Sequence, residues 1–130
     1  MSIQCVQGLV TPEELEHTFW DIVENGKEPV EVFYGADLNT GAVGSGFPRR
    51  GESDSTYATH PWNINNFPKL DGEHSSMLKN VDEAIQGVIV PWLYIGMLFS
   101  AICWHVEDHM FYSINYNHYG SPKQWCVQCI

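Results

Sequence analysis

Pro91-Trp92-Leu93-Tyr94-Ile95-Gly96-Met97-Leu98-Phe99 is the stretch on which the fold turns. Leu93, Ile95, Met97 and Phe99 alternate with Tyr94, Gly96 and Leu98. A period of two puts alternate side chains on opposite faces of a strand. β-structure is therefore expected from residue 89 onward. Residues 102–116 continue the strand-like reading, with Tyr112 and Tyr116 spaced to face a core. Gly120-Ser121-Pro122 reads as a turn, and residues 123–127 open another strand.

Upstream the period changes. Thr11-Pro12-Glu13-Glu14 reads as a helix start, with Thr11 as cap, Pro12 in the first turn and Glu14 closing a capping box. Leu15, Phe19, Ile22 and Val23 then share one helical face, and Asn25-Gly26 ends it. This helix reads as scaffold. Residues 29–34 read as a short strand, and Gly35-Ala36-Asp37 as a turn that Asp37 caps. The Gly41 to Gly46 loop lacks the lysine and spacing of a phosphate-binding loop. Residues 49–60 read as an exposed polar excursion, residues 61–66 as a segment docked by Trp62, and residues 76–84 as a short helix. One helix followed by several strands argues for an α+β domain on an antiparallel sheet, which can curl into a double-sheet barrel.

The bulk numbers fit one globular domain: 130 residues, 44% hydrophobic and 17% charged. Five tryptophans and 13% aromatic content suit a β-rich core or an aromatic-lined pocket. A formal net charge of -10 weighs against nucleic-acid binding. It suits attraction of a basic peptide, or simple solubility. Met1-Ser2-Ile3-Gln4-Cys5 has no signal-peptide pattern, and residues 88–104 are too interrupted, by Pro91, Gly96 and Ser100, to cross a membrane. With no export signal, Cys5, Cys103, Cys126 and Cys129 are expected reduced. Cys126 and Cys129 lack a second ligand pair for zinc and read as incidental thiols. His17, His60 and His74 read as solvated, and Trp104 and Trp125 as core.

His105-Val106-Glu107 is the chemical centre. On a strand, residues two apart face the same side, so an imidazole and a carboxylate project together. With a second histidine they would form the facial triad of non-haem iron(II) oxygenases. Taken alone the triplet is common, and most such pairs are structural. Tyr34, Asn115 and Lys123 are the groups a dicarboxylate ligand would want.

Pro91 to Met97, Cys103 to His109, Tyr112-Ser113-Ile114-Asn115-Tyr116 and Gly120-Ser121-Pro122-Lys123-Gln124-Trp125 together resemble JmjC histone demethylases. Phe19-Trp20, Tyr34-Gly35-Ala36-Asp37, Gly44-Ser45-Gly46-Phe47-Pro48 and Trp62-Asn63-Ile64-Asn65-Asn66 narrow the resemblance to the JARID-type subfamily, which acts on lysine 4 of histone H3. The resemblance covers nearly the whole chain. It implies a jelly-roll, cupin-like double-stranded β-helix core behind the N-terminal helix. It also implies Fe(2+) and 2-oxoglutarate as cofactors, with His105 and Glu107 as metal ligands and catalytic centre. Tyr34 and Lys123 would hold the distal carboxylate of 2-oxoglutarate, Ser113 and Asn115 would line the cofactor pocket, and Tyr94 would lie near the methylated ammonium. These groups are expected to converge on one pocket. The implied partners are the histone H3 tail and chromatin complexes in the nucleus, in chromatin regulation and transcriptional repression.

The sequence departs from the family pattern in three places. The family's second iron histidine lies many tens of residues past the His-x-Glu pair, and this sequence ends at Ile130. His109 shares the strand face of His105 and Glu107, but three successive same-face residues, ~6.6 Å apart, cannot easily converge on one ion. His118 is no better a substitute. Ile102 stands where the family carries a bulky aromatic, and Cys126-Val127-Gln128-Cys129-Ile130 replaces the family's continuation after Trp125. Residues 1–130 are therefore expected to be a partial JmjC domain with an open sheet edge and exposed apolar surface. The alternative is a catalytically inactive JmjC-fold module for chromatin or protein interaction.

Overall fold

The computed structural model describes residues 2–4, 10–52 and 55–127, with backbone alone for residues 2–4 and His74. Cys5 and Cys129, and with Cys129 the Cys-x-x-Cys motif, lie outside the described residues. The chain divides into two units, Met1–Tyr34 with Ile95–Ile130, and Gly35–Tyr94.

The first unit is organised on one helix. Thr11 Oγ1 accepts from the Glu14 N–H at 3.2 Å, and the Glu14 carboxylate accepts from the Thr11 N–H at 2.8 Å. This reciprocal cap starts α1, Pro12–Asn25, as the sequence implies. Gly26 closes it by donating to the Ile22 carbonyl at 3.1 Å. Leu15 and Phe19 are buried, while Val23, expected on the same face, is exposed. Strand β1, Ser2–Gln4, pairs antiparallel with a strand at Lys123–Trp125, Gln4 opposite Lys123. Gln124 and Cys126 each donate to the Glu16 carboxylate, at 3.5 and 3.3 Å, which fastens that strand to the helix. Burial, and then the Glu16 carboxylate, push the Cys126 thiol upward in pKa, so it stays a protonated donor.

The second unit holds most of a two-stranded sheet. Strand β2, Tyr34–Asn39, pairs with β3, Trp92–Gly96. The last strand, Lys123–Trp125, is then β4. Asn39 caps a short helix α2, Thr40–Val43, where a loop was expected. Thr40 is buried, donates through Oγ1 to the Pro91 carbonyl at 2.7 Å, and accepts from Arg49 at 2.9 Å. The chain enters β3 through a tight turn at residues 85–90. Gly87 there has φ 79°, and an added Cβ would collide with the Trp92 indole. Only glycine suits both demands.

Side-chain amides hold the irregular remainder of this unit. Asn63 is 0% exposed and donates to the Pro48 and Tyr57 carbonyls at 2.8 and 3.1 Å. Its Oδ1 accepts from the Asn65 N–H at 3.0 Å. Asn66 donates to the Ala58 and His60 carbonyls at 3.0 and 2.9 Å. The expected anchor, Trp62, is 71% exposed and meets Phe67 edge-on. The docking of residues 61–66 is thus polar. It also ties down residues 49–60, where Ala58 is buried, so that stretch is not simply an exposed excursion.

Other local expectations are corrected in the same way. Residues 29–33 form no strand. The Phe33 backbone is instead clasped by the turn at residues 97–100, accepting from the Met97 N–H at 3.4 Å and from Ser100 Oγ at 3.3 Å. Phe99 sits at φ 68°, which ends the alternation of β3 and lays its ring 6.1 Å from Phe19. Residues 76–84 give a single 3-10 segment at Met77–Asn80. Residues 102–116 are irregular apart from a 3-10 turn at Asp108–Met110. Tyr112 and Tyr116 are exposed rather than core-facing, as are Trp104 and Trp125, whose rings pack against each other at 5.0 Å. The α+β class stands: one long helix with paired strands.

Two outcomes follow for the chain in solution. Asn63→Ala strands two carbonyls and an N–H, and is expected to cost about 3 kcal/mol by denaturant unfolding. Trp62→Ala should cost under about 1 kcal/mol, and the reverse order would refute the amide anchor. The exposed Trp104, Val106, Tyr112 and Ile114 are expected to bind a hydrophobic dye and to scatter light at high concentration. A clear, dye-silent solution would show this surface to be covered.

Candidate metal centre

His105 and Glu107 meet without a strand beneath them. Their backbone is irregular and leads into the turn at Asp108–Met110. His105 Nε2 nevertheless lies 3.3 Å from Glu107 Oε1. The pairing expected from strand geometry is present, and its cause is different. His105 Nδ1 lies 2.9 Å from the Cys103 carbonyl oxygen. A carbonyl only accepts, so this bond puts a proton on Nδ1 and leaves the Nε2 lone pair facing Glu107 whenever the ring is neutral.

That geometry suits one ion. Two ligand atoms at about 2.1 Å in adjacent positions on a metal lie about 3 Å apart. Imidazole nitrogen and carboxylate oxygen are ligands that iron(II) accepts. Among the described residues, no group of three His, Cys, Asp or Glu side chains could hold a metal. His109, on a left-handed backbone at φ 55°, stacks near Phe111, and His118 near Tyr116. Neither joins the pair, although His109 is turned away by the 3-10 turn and not by strand spacing.

The Cys103 carbonyl, and next the Glu107 charge, raise the His105 pKa above the usual imidazole range, against a smaller effect of burial. A metal competes with the proton on Nε2. Metal binding here should therefore strengthen as pH rises through the raised His105 value. The protonated pair stabilises the fold at low pH, and that contribution fades through the same interval.

Lys123 and Asn115 form a second pair in the same unit. Lys123 Nζ donates to Asn115 Oδ1 at 3.0 Å, and burial lowers the lysine pKa. A partly desolvated ammonium favours an anionic partner. Ser113 and Asn115 are exposed, and Tyr34 is 36% exposed at the start of β2. Among the described residues no hydrogen bond or ion pair joins the His105–Glu107 pair to Lys123–Asn115. In the other unit, Tyr94 on β3 donates to Asp37 at 2.6 Å. Asp37 does more than cap a turn, and the sequence offered only one sign of it, a residue type that tolerates left-handed backbone.

Residues 92–128 match the family described as JmjC domain, hydroxylase. This segment belongs to the JmjC family. With that family come the jelly-roll assignment and the JARID-type resemblance read from the motifs. The chain is 51% identical over 130 residues to the putative lysine-specific demethylase JMJ16 of Arabidopsis thaliana, covering 95% of this chain and 10% of the relative. It is 52% identical over 127 residues to lysine-specific demethylase JMJ17 of the same plant, covering 91% and 10%. It is 46% identical over 123 residues to human lysine-specific demethylase 5D, covering 90% and 8%. The chain thus spans about a tenth of the length of these curated relatives.

For the JmjC pair itself, Glu107→Gln should lower the His105 pKa only part of the way, since the Cys103 carbonyl remains. Histidine ring NMR across a pH series reads this directly. An unchanged titration would mean that the imidazole does not feel Glu107.

Proposed function

We propose that this protein is part of an iron(II)- and 2-oxoglutarate-dependent dioxygenase that demethylates lysine 4 of histone H3 in the nucleus, where it regulates chromatin and represses transcription. The carrying observation is the His105 Nε2 to Glu107 Oε1 spacing of 3.3 Å inside the JmjC segment. Demethylase names among its relatives support the reaction class. When bound, iron and 2-oxoglutarate supply the oxidation: the 2-oxo acid is decarboxylated to succinate as dioxygen is consumed, and the N-methyl group leaves as formaldehyde.

The chain's own residues bind and orient. His105 offers Nε2 because its other nitrogen is held by Cys103, and Glu107 offers one carboxylate oxygen beside it. Lys123 supplies a cation for the distal carboxylate, and Asn115 steadies Nζ. Tyr34 donates to the same carboxylate, and Ser113 lines the cofactor pocket. Tyr94 contacts the methylated ammonium. A net charge of -10, with Glu13, Glu16, Asp21 and Glu24 beside one another on α1, suits a basic histone tail and chromatin partners. The competing reading is an inactive JmjC interaction module.

The test is iron(II) titration, followed by formaldehyde release from a histone H3 peptide trimethylated at lysine 4. The chain and its His105→Ala variant are compared with ascorbate and 2-oxoglutarate present. With two protein ligands, metal binding should be weak, strengthened by 2-oxoglutarate and lost in His105→Ala. Metal binding that is equal in both proteins would remove His105 from the site. Metal binding without any formaldehyde would favour the inactive module.

A further inference from the structure

We infer that Asp37 is a positioning residue for Tyr94, setting the phenol oxygen to accept from a methylated ammonium. The inference rests on the proposed substrate contact of Tyr94 and adds the group that makes the contact specific. Tyr94 Oη and Asp37 Oδ1 are 2.6 Å apart, at the short end for a hydroxyl bonded to a carboxylate. The two residues sit on the paired strands β3 and β2. Asp37 reaches this position with φ 53°, left-handed backbone inside a strand. Such a conformation is strained for a residue with a Cβ. Positions like this persist where the surroundings fix them, and they gather at ligand sites.

A phenol has a single proton. Once that proton is committed to Asp37, the oxygen can only accept from any further ligand. The carboxylate also polarises the O–H bond and adds negative charge to the oxygen. The C–H groups beside a quaternary nitrogen are polarised and act as weak donors to such an oxygen. The ring face adds cation–π attraction. Without Asp37 the phenol proton is no longer held by a carboxylate, and the oxygen loses the charge that this bond lends it.

The experiment uses the whole 130-residue chain with tyrosine labelled at Cζ, titrated with the trimethyl-lysine-4 histone H3 peptide and followed by NMR. Three variants are compared. Asp37→Gly removes the carboxylate and is at home at positive φ. Asp37→Asn keeps an acceptor and a left-handed preference but drops the charge. Tyr94→Phe removes the hydroxyl. Asp37→Gly and Tyr94→Phe should each weaken peptide binding about tenfold, and the double variant should be no weaker than either. Asp37→Asn should fall between, and the Tyr94 Cζ resonance should move in both Asp37 variants. Wild-type affinity in Asp37→Gly, with a loss in Tyr94→Phe, overturns the inference and leaves the Tyr94 contact standing. Additive losses overturn it too, because Asp37 would then act on the peptide directly. Wild-type affinity in Tyr94→Phe, or no binding by the parent chain, sinks the substrate contact beneath it. Should Asp37→Gly fail to fold, Asp37→Asn decides by the same comparison.

Discussion

A carbonyl buried in irregular backbone has no ladder to bond to, and Asn63 answers that constraint. Its amide closes on the Pro48 and Tyr57 carbonyls from the centre of the second unit. A buried, unpaired carbonyl is costly, so each such bond decides which loop conformations survive. Asn66 repeats the device on Ala58 and His60, and Thr40 repeats it on Pro91. Long stretches of chain without helix or strand are thereby given a definite path. The Thr40 bond also fixes the residue just before β3, and so the strand that carries Tyr94.

The sequence was most legible where the signal is local. The capping box, Pro12 and the apolar spacing marked α1 to its ends, because a helix satisfies its own backbone. β4 was found beside its Gly-Ser-Pro turn. Strands are different, since alternation shows a face but supplies no partner. Residues 102–116 alternate well enough, yet among the described residues no neighbouring strand takes up their hydrogen bonds, and they run irregular. Residues 29–33 lost their strand to the turn at Phe99, a residue whose left-handed backbone no period reveals. The asparagines of residues 61–66 were quoted as a motif while Trp62 was given the anchoring role. The large ring was the louder signal, and the small amides carry the bonds.

The candidate site divides along the same line. That His105 and Glu107 would project together was readable from their spacing, although strand geometry is not what brings them together. The Cys103 carbonyl that sets the imidazole tautomer was invisible, because every residue has a carbonyl and only the folded path aims this one. Lys123 and Asn115 were each picked out by residue type as groups for a dicarboxylate, whereas their bond to one another was not foreseen. Asp37 with Tyr94 links residues far apart in sequence, and only pairing of β2 with β3 brings them together.

Trp104 and Trp125 have one more property. Their ring centres are 5.0 Å apart with planes inclined at 45°. Indoles this close couple through their strong far-ultraviolet transition, so the pair is expected to give a signed circular dichroism couplet there that isolated tryptophans lack. Trp104 directly precedes His105, and Trp125 ends the strand that begins at Lys123. The protein therefore carries its own optical gauge of how the histidine segment lies against β4. It needs no label and can be read in the same cuvette as any ligand added to the chain.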